Sequence, residues 1–301
     1  MQVFYGPAYV GAGHVFDTTR KSQWVAESLT ADPIAGVQVC APEPVTETML
    51  AQVHDARYIE AMRTGVPRDL AESQGFRWDS GIWDAAIAST GGVLAAVRAA
   101  LTDGVAGSLS SGLHHALPKE GRGFCTFNGL ALGALHALDR GARRVLILDV
   151  DAHCGGGTYV CIRGNSAITH FDLAVHPYDR YLARTPHRLV LVDRADRYLG
   201  ELRRLLASVE HDPFDCCVYN AGMDPFEGCR EGGLPGITAD ILAERERLVF
   251  QWCTERHVPI AFVLAGGYTG STCTLEQLIA LHRSTITAAV SAGRRWLLHR
   301  G

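Results

Sequence analysis

Asp149, Asp151 and His153 stand at alternate positions, directly after the apolar run 145–148 and just before three successive glycines, Gly155, Gly156 and Gly157. The run reads as a buried strand of a parallel sheet. Period-two geometry sends the three polar side chains to one side of the strand end. The glycines mark a sharp turn into the next element. A carboxylate and an imidazole two residues apart can hold one divalent metal. Taken alone, the stretch fits equally well an Asp cap on the following helix beside a hydrogen-bonded His.

Three further polar clusters also follow directly on predicted strands: His114-His115, Asp224 and Tyr268. Strand ends of one parallel sheet share an edge, and ligands bind there in open α/β sheets, so the four clusters can converge. Asp151, His153 and Asp224 would give a metal three N/O ligands with a position left open, the pattern of a catalytic zinc site. Such an ion acidifies water into a nucleophile. His114-His115 offers imidazoles for proton transfer. Tyr268, beside Gly266 and Gly267, can donate a hydrogen bond to a developing oxyanion. Each cluster also has a plain structural reading: a backbone-bonded histidine pair, a tight Gly-Gly turn, a buried phenol.

The elements that must position these residues alternate between strand and helix, which predicts an α/β fold with a mainly parallel, about eight-stranded sheet and helices on both faces. Strands are expected at 2–5, 37–40, 105–109, 145–148, 167–175, 189–192, 216–219 and 260–264. Helices are expected at 22–29, 46–63, 83–101, 130–138, 198–209, 240–257 (after a cap-like Thr238) and 275–289. The polar stretch 64–78 reads as a long loop on a site rim. No repeat or linker interrupts the chain, so 1–301 reads as one domain.

The 301 residues are 47% hydrophobic and 20% charged, with a net charge of −4, enough for a sizeable core and too balanced to favour nucleic acid or a membrane surface. No run of about 18–20 consecutive apolar residues is present and no opening segment looks like a signal peptide, so a cytoplasmic protein is expected. The nine cysteines lack a Cys-x-x-Cys pair and mostly sit in apolar runs, as reduced core thiols do. Cys154 adjoins a ligand and is expected to pack away from it. Ten of the thirteen histidines, among them His14, His54, His170, His211 and His299, read as structural.

Five stretches in order, Ser111-Gly-Leu-His-His-Ala116, Gly123-Phe-Cys-Thr-Phe-Asn128, Asp149-Val-Asp-Ala-His153, Asn220-Ala-Gly-Met-Asp224 and Gly266-Gly-Tyr268, resemble the zinc-dependent histone deacetylase and acetylpolyamine amidohydrolase family of the arginase-like superfamily. The resemblance spans nearly the whole chain. It implies a three-layer α/β/α deacetylase fold and one Zn²⁺ per chain on Asp151, His153 and Asp224. It implies His115 as general acid/base, His114 as its electrostatic neighbour with Asp149 behind it, and Tyr268 as the group that polarises an amide carbonyl. Phe124, otherwise a core residue, falls on a wall of the acyl-lysine channel, with Gly267 also lining substrate. A structural K⁺ is implied beside Asp149, Asp151 and His153, with Asp172 at the family's hydroxyl-bearing position. Glu231 stands where polyamine-selective members carry a Glu at the channel mouth, although a solvated carboxylate paired with Arg230 fits as well.

The chain departs from the family at two places. Cys154 replaces a second His, and Gly156 replaces the Asp or Asn that orients the acid/base imidazole. His115 is therefore expected to lack that partner and to rely on water or another side chain. The resemblance implies a deacetylase acting on a small-molecule or peptide acylamine, such as an acetylated polyamine or another small cationic acylamine. The alternatives are a protein acetyl-lysine deacetylase and a non-catalytic acylamine-binding module, either of them a candidate homo-oligomer. A binuclear manganese ureohydrolase is disfavoured, because Gly155 and Phe226 stand where its extra carboxylates would be needed.

Overall fold

The computed structural model describes residues 1–13, 16–209 and 212–298; His14, His211 and His299 lie outside them. Among these described residues eight strands are formed: β1 (Gln2–Phe4), β2 (Gln38–Cys40), β3 (Val105–Ser108), β4 (Val145–Asp149), β5 (Ile168–Ala174), β6 (Arg188–Leu191), β7 (Cys216–Asn220) and β8 (Ile260–Val263). They make one sheet in the order β2-β1-β3-β8-β7-β4-β5-β6. Every neighbouring pair is parallel. Among the described residues ten α-helices connect them: α1 (Asp17–Ala31), α2 (Glu47–Leu50), α3 (Ala56–Thr64), α4 (Arg68–Ala71), α5 (Ser80–Asp103), α6 (Gly129–Asp139), α7 (Gly156–Ile162), α8 (Ala195–Ala207), α9 (Ala239–Glu255) and α10 (Leu275–Leu298).

The central strands are continuous apolar runs because both faces of the sheet are covered. Leu146 and Leu148 of β4, Tyr219 of β7 and Phe262 of β8 pack into one core with α1, α8, α9 and α10. Val145 and Ile147, Val218 and Val263 point the other way, into a second core with α3, α5 and α6. This is the expected α/β/α sandwich, and alternation along each strand assigns side chains to its two cores.

Element ends differ from expectation by a few residues, α7 is not among the expected helices, and three further differences are larger. The helix expected over 46–63 is split into α2 and α3. α2 ends at Leu50, and Asp55 caps α3: its carboxylate accepts from Arg57 N (2.9 Å), while its own amide donates to Pro118 O (2.8 Å). The expected loop 64–78 contains the short α4, and the closing helix runs to Leu298. One membrane expectation needs amendment. By length and composition α5 could cross a bilayer, but 72% of its most apolar window is buried inside the protein. It is the core helix that packs against β3, β8 and α6.

Candidate active site

The four polar clusters follow β3, β4, β7 and β8, which are the four contiguous strands β3-β8-β7-β4 in the middle of the sheet. Parallel registration brings their carboxyl ends to one edge. Asp151, His153 and Asp224 meet there, with donor atoms within 4.8 Å of one another. His153 Nδ1 lies 3.2 Å from Asp151 Oδ1 and 3.2 Å from Asp224 Oδ2. A tetrahedral ion with bonds of about 2.0–2.1 Å sets its donors roughly 3.3 Å apart, so the triad has the right donors at the right spacing for one such cation. The outer carboxylate oxygens are tied to backbone: Asp151 Oδ2 accepts from Gly266 N (2.7 Å) and Asp224 Oδ1 from Ala152 N (2.9 Å). Burial pulls His153 down, but its hydrogen bonds to both carboxylates hold it up at about 10. A divalent cation would displace that proton. Burial and the neighbouring Asp151 push the Asp224 carboxyl up to about 6.

The backbone around the triad is braced from behind. Buried Arg245 donates to Gly222 O (2.7 Å) and Val150 O (3.3 Å), beside the ligand loops after β7 and β4. It pairs with Glu246, which accepts from the Tyr219 hydroxyl (2.8 Å).

The paired histidines lie beside the triad, both buried. His114 Nδ1 donates to Asp149 Oδ2 (2.8 Å), and Asn220 Nδ2 donates to the other oxygen of Asp149 (2.8 Å). Burial lowers His114, but the Asp149 and Asp151 charges raise it further, to about 10. His115 Nδ1 donates to Asp179 Oδ2 (2.9 Å). The two Nε2 atoms are 3.1 Å apart, so with both Nδ1 protons committed to carboxylates one proton lies between the rings. Burial and the His114 charge lower His115 to about 4, against the pull of Asp179, so His114 holds that proton and His115 is neutral. The loop carrying the pair is fastened by Asn128, whose amide donates to Ala116 O (3.1 Å) and His114 O (3.3 Å). The expectation that Gly156 leaves His115 without a side-chain partner is corrected here: Asp179, from the segment after β5, fills the space a residue at 156 would take. Burial favours the neutral Asp179 carboxyl, but its bonds from His115 and the Gly157 amide hold it below its ordinary value.

Tyr268 faces the same inner chamber as His115, Asp151 and His153, a space of about 30 Å³. Burial raises its phenol well above 10, so it stays a donor, and among the described residues its hydroxyl has no hydrogen-bond partner. The chamber opens into an outer cavity of about 450 Å³ lined by Phe124, Tyr178, His176, Glu231 and Tyr268. Phe124 is 40% exposed and therefore not core; its ring lies 4.5 Å from Phe16 and 5.1 Å from Phe76. Phe124 (φ 64°), Leu113 (φ 55°) and Asp179 (φ 59°) border the site with left-handed backbones, the strain that functional sites store. Glu231 is at the mouth, and it does pair with Arg230 (3.2 Å). Gly267 lies against His282 and Leu278 and, against expectation, lines neither the chamber nor the outer cavity.

Asp172 is opposite Asp149 across the β4–β5 pair, fully buried. One oxygen accepts from Gly155 N (2.7 Å), and the other has no hydrogen-bond partner among the described residues. Burial and the Asp149 charge hold the carboxyl well above its ordinary range, so either a proton or a monovalent cation balances it. Cys154 packs away from the triad, its thiol toward His176 O, and all nine cysteines are free.

Sequence reasoning missed Asp179, although 176–179 follows a predicted strand just as the other clusters do. It also missed Phe16, Phe76 and Lys21. Lys21 is buried with its ammonium on Ser111 Oγ (2.7 Å); burial lowers it to about 8 against the Asp151 and Asp224 charges. A lone Lys on the face shared with Val25 and Leu29 was the available signal.

The family profile described as histone deacetylase domain matches residues 14–182, more than half of the chain. An uncharacterised protein of Picosynechococcus is 32% identical over 240 residues, 77% of this chain and 79% of that one. Histone deacetylase 2 of Arabidopsis thaliana is 31% identical over 190 residues, 60% of this chain; the acetoin utilization protein AcuC of Staphylococcus aureus is 26% identical over 180, 56% of this chain. The chain matches only 49% and 46% of the lengths of those two proteins. In fold, the crystal structure of the HDA15 HD domain superposes with a TM-score of 0.78 at 19% identity, over 99% of this chain and 95% of that one. The acetylpolyamine aminohydrolase of Burkholderia pseudomallei gives 0.79 at 19% identity, over 97% and 99%. With the paired histidines and the β4 strand end inside the matched segment, the chain belongs to the histone deacetylase family.

Proposed function

We propose that the chain is a zinc-dependent deacylase that hydrolyses the N-acyl amide of a small cationic amine. The observation that carries this reading is the meeting of a metal triad, with His153 Nδ1 3.2 Å from each of Asp151 and Asp224, and of a narrow chamber that brings Asp151 and His153 together with a neutral buried imidazole and a phenol. Asp151, His153 and Asp224 would hold the ion, whose imidazole ligand disfavours the all-oxygen shells of Mg²⁺ and Ca²⁺. When bound, the ion supplies Lewis acidity toward the substrate carbonyl and the attacking water. His115 takes the proton of that water at Nε2, giving up there the hydrogen bond from His114, and returns it to the leaving amine. Tyr268 donates to the carbonyl oxygen as negative charge develops there. The charge on His114, held by Asp149, stabilises the same anion. The ring of Phe124, backed by Phe16, covers the aliphatic stem of the substrate.

For the amine, Glu231 supports a cationic group at the mouth. A monovalent cation such as K⁺ beside Asp149 and Asp172 fits the unpartnered Asp172 oxygen. The Asp179 partner of His115 favours the catalytic reading over a non-catalytic acylamine-binding module. The test is turnover of acylated polyamines, small acylamines and acetyl-lysine peptides, with metal analysis, in the wild type and in Asp224→Asn. One zinc per chain and turnover of a cationic acylamine, both lost in Asp224→Asn with the fold kept, is the expected result. Full zinc occupancy in that variant would refute the ligand set.

A further inference from the structure

We infer that Asp179 is the positioning residue of His115, and that this protein supplies the orienting carboxylate from the segment after β5 instead of from the start of α7. The inference rests on the deacylase reading for its kinetic consequence, but its geometry is independent of it. Asp179 Oδ2 accepts from His115 Nδ1 (2.9 Å), and because a carboxylate only accepts, it fixes that ring with its lone pair on Nε2, the atom that meets His114 Nε2 (3.1 Å). The same oxygen accepts from Gly157 N (3.1 Å), and Oδ1 accepts from Arg122 (3.1 Å). The carboxylate is thus held on three sides and cannot swing away from the ring.

The segment is itself fastened to the metal strand. Cys154 N donates to Tyr178 O (3.1 Å), and the Tyr178 ring stands edge-on to His115 with centroids 4.9 Å apart. Glycine at 156 is the condition for this arrangement. A Cβ there would lie 2.3 Å from the Asp179 carbonyl oxygen and 2.7 Å from its Oδ1. A side chain at 156 and a carboxylate at 179 therefore exclude one another: one position must be empty for the other to reach His115.

The test compares wild type with Asp179→Ala, Asp179→Asn and Gly156→Ala, as metal-loaded enzymes for kinetics and as metal-free proteins for histidine ring ¹⁵N NMR. Asp179→Ala is expected to lower kcat by about 10–100-fold with KM and metal content unchanged, and to release His115 from the Nδ1–H tautomer. Asp179→Asn keeps an acceptor and is expected to keep the tautomer and recover part of kcat. Gly156→Ala is expected to mimic Asp179→Ala. A wild-type tautomer in Asp179→Ala would overturn the inference. So would equal kcat losses in the Ala and Asn variants that track their melting temperatures. A wild type without turnover on any acylamine would sink the deacylase reading alone, because the tautomer still reports on Asp179.

Discussion

Replacing Gly266 by Ala should disable the metal site without removing any ligand. An added Cβ would sit 2.1 Å from Asp224 Oδ2 and 2.6 Å from Asp151 Oδ2. Ordinary contact begins at 3.4 Å, so Asp224 Oδ2 must move by 3.4 − 2.1 = 1.3 Å. The backbone cannot retreat to spare it, because Gly266 N donates to Asp151 (2.7 Å) and Gly266 O accepts from Met223 N (2.7 Å). Metal–ligand distances tolerate about 0.2 Å, so the carboxylate leaves the range of coordination. A misplacement of about 1 Å in a reacting constellation costs on the order of 10²-fold, and kcat/KM should fall by at least that much. The assay is calorimetric zinc titration of the metal-free protein, with circular dichroism to establish folding and turnover measured at saturating zinc. Gly164→Ala is the control, since a Cβ there meets nothing within 4 Å. Wild-type zinc affinity together with kcat/KM within a few-fold of wild type in Gly266→Ala would refute the placement of the metal between Asp151 and Asp224.

Other perturbations probe the remaining parts. Tyr268→Phe should retain zinc and lose roughly 10²–10³-fold in kcat, as for one lost oxyanion donor; unchanged turnover would remove its carbonyl-polarising role. Glu231→Leu should weaken turnover of acylated polyamines while sparing acetyl-lysine peptides, and an equal effect on both would show that Glu231 does not select the amine. His54 tests a buried neutral imidazole away from the metal: Nδ1 donates to Leu117 O (3.0 Å) and Nε2 accepts from Asn128 N (3.0 Å), which leaves no acceptor for a second proton. Burial lowers it from 6.5 to about 4. The unfolded chain then binds the extra proton first, so His54 contributes its full stability above pH 6.5 and loses it as pH falls toward 4, a loss of about 3 kcal/mol. Urea unfolding of wild type and His54→Gln between pH 7 and 4.5 should show the shallower acid slope in the variant; parallel slopes would contradict a neutral His54.

The sheet, the ligand triad, the paired histidines and Tyr268 were legible because each leaves a local trace: an apolar run, then a polar residue where the run stops. What is assembled across distance left less. Asp179 reaches His115 over 64 residues, and nothing periodic joins them. Phe16 and Phe76 meet Phe124 from separate segments, so neither carries a spacing that points to the other. The split between α2 and α3 was hidden because Leu50, Tyr58 and Met62 keep a helical rhythm across it, and only the Asp55 cap and its tie to Pro118 reveal the break. Gly156 was legible as a departure, but its meaning depended on the carboxylate that takes the vacated space.

That the four site clusters spring from neighbouring central strands also bears on how such a protein can change. Amide hydrogens of β4, β7 and β8, fully buried strands with partners on both sides, should be among the last to exchange with solvent. The outer cavity is bordered instead by connecting segments around Gly75, Phe124, Tyr178 and Glu231, which open more cheaply and tolerate substitution. Mutational drift can then rewrite which amine is admitted, loop by loop, while the chemistry stays locked into the part of the molecule that unfolds last.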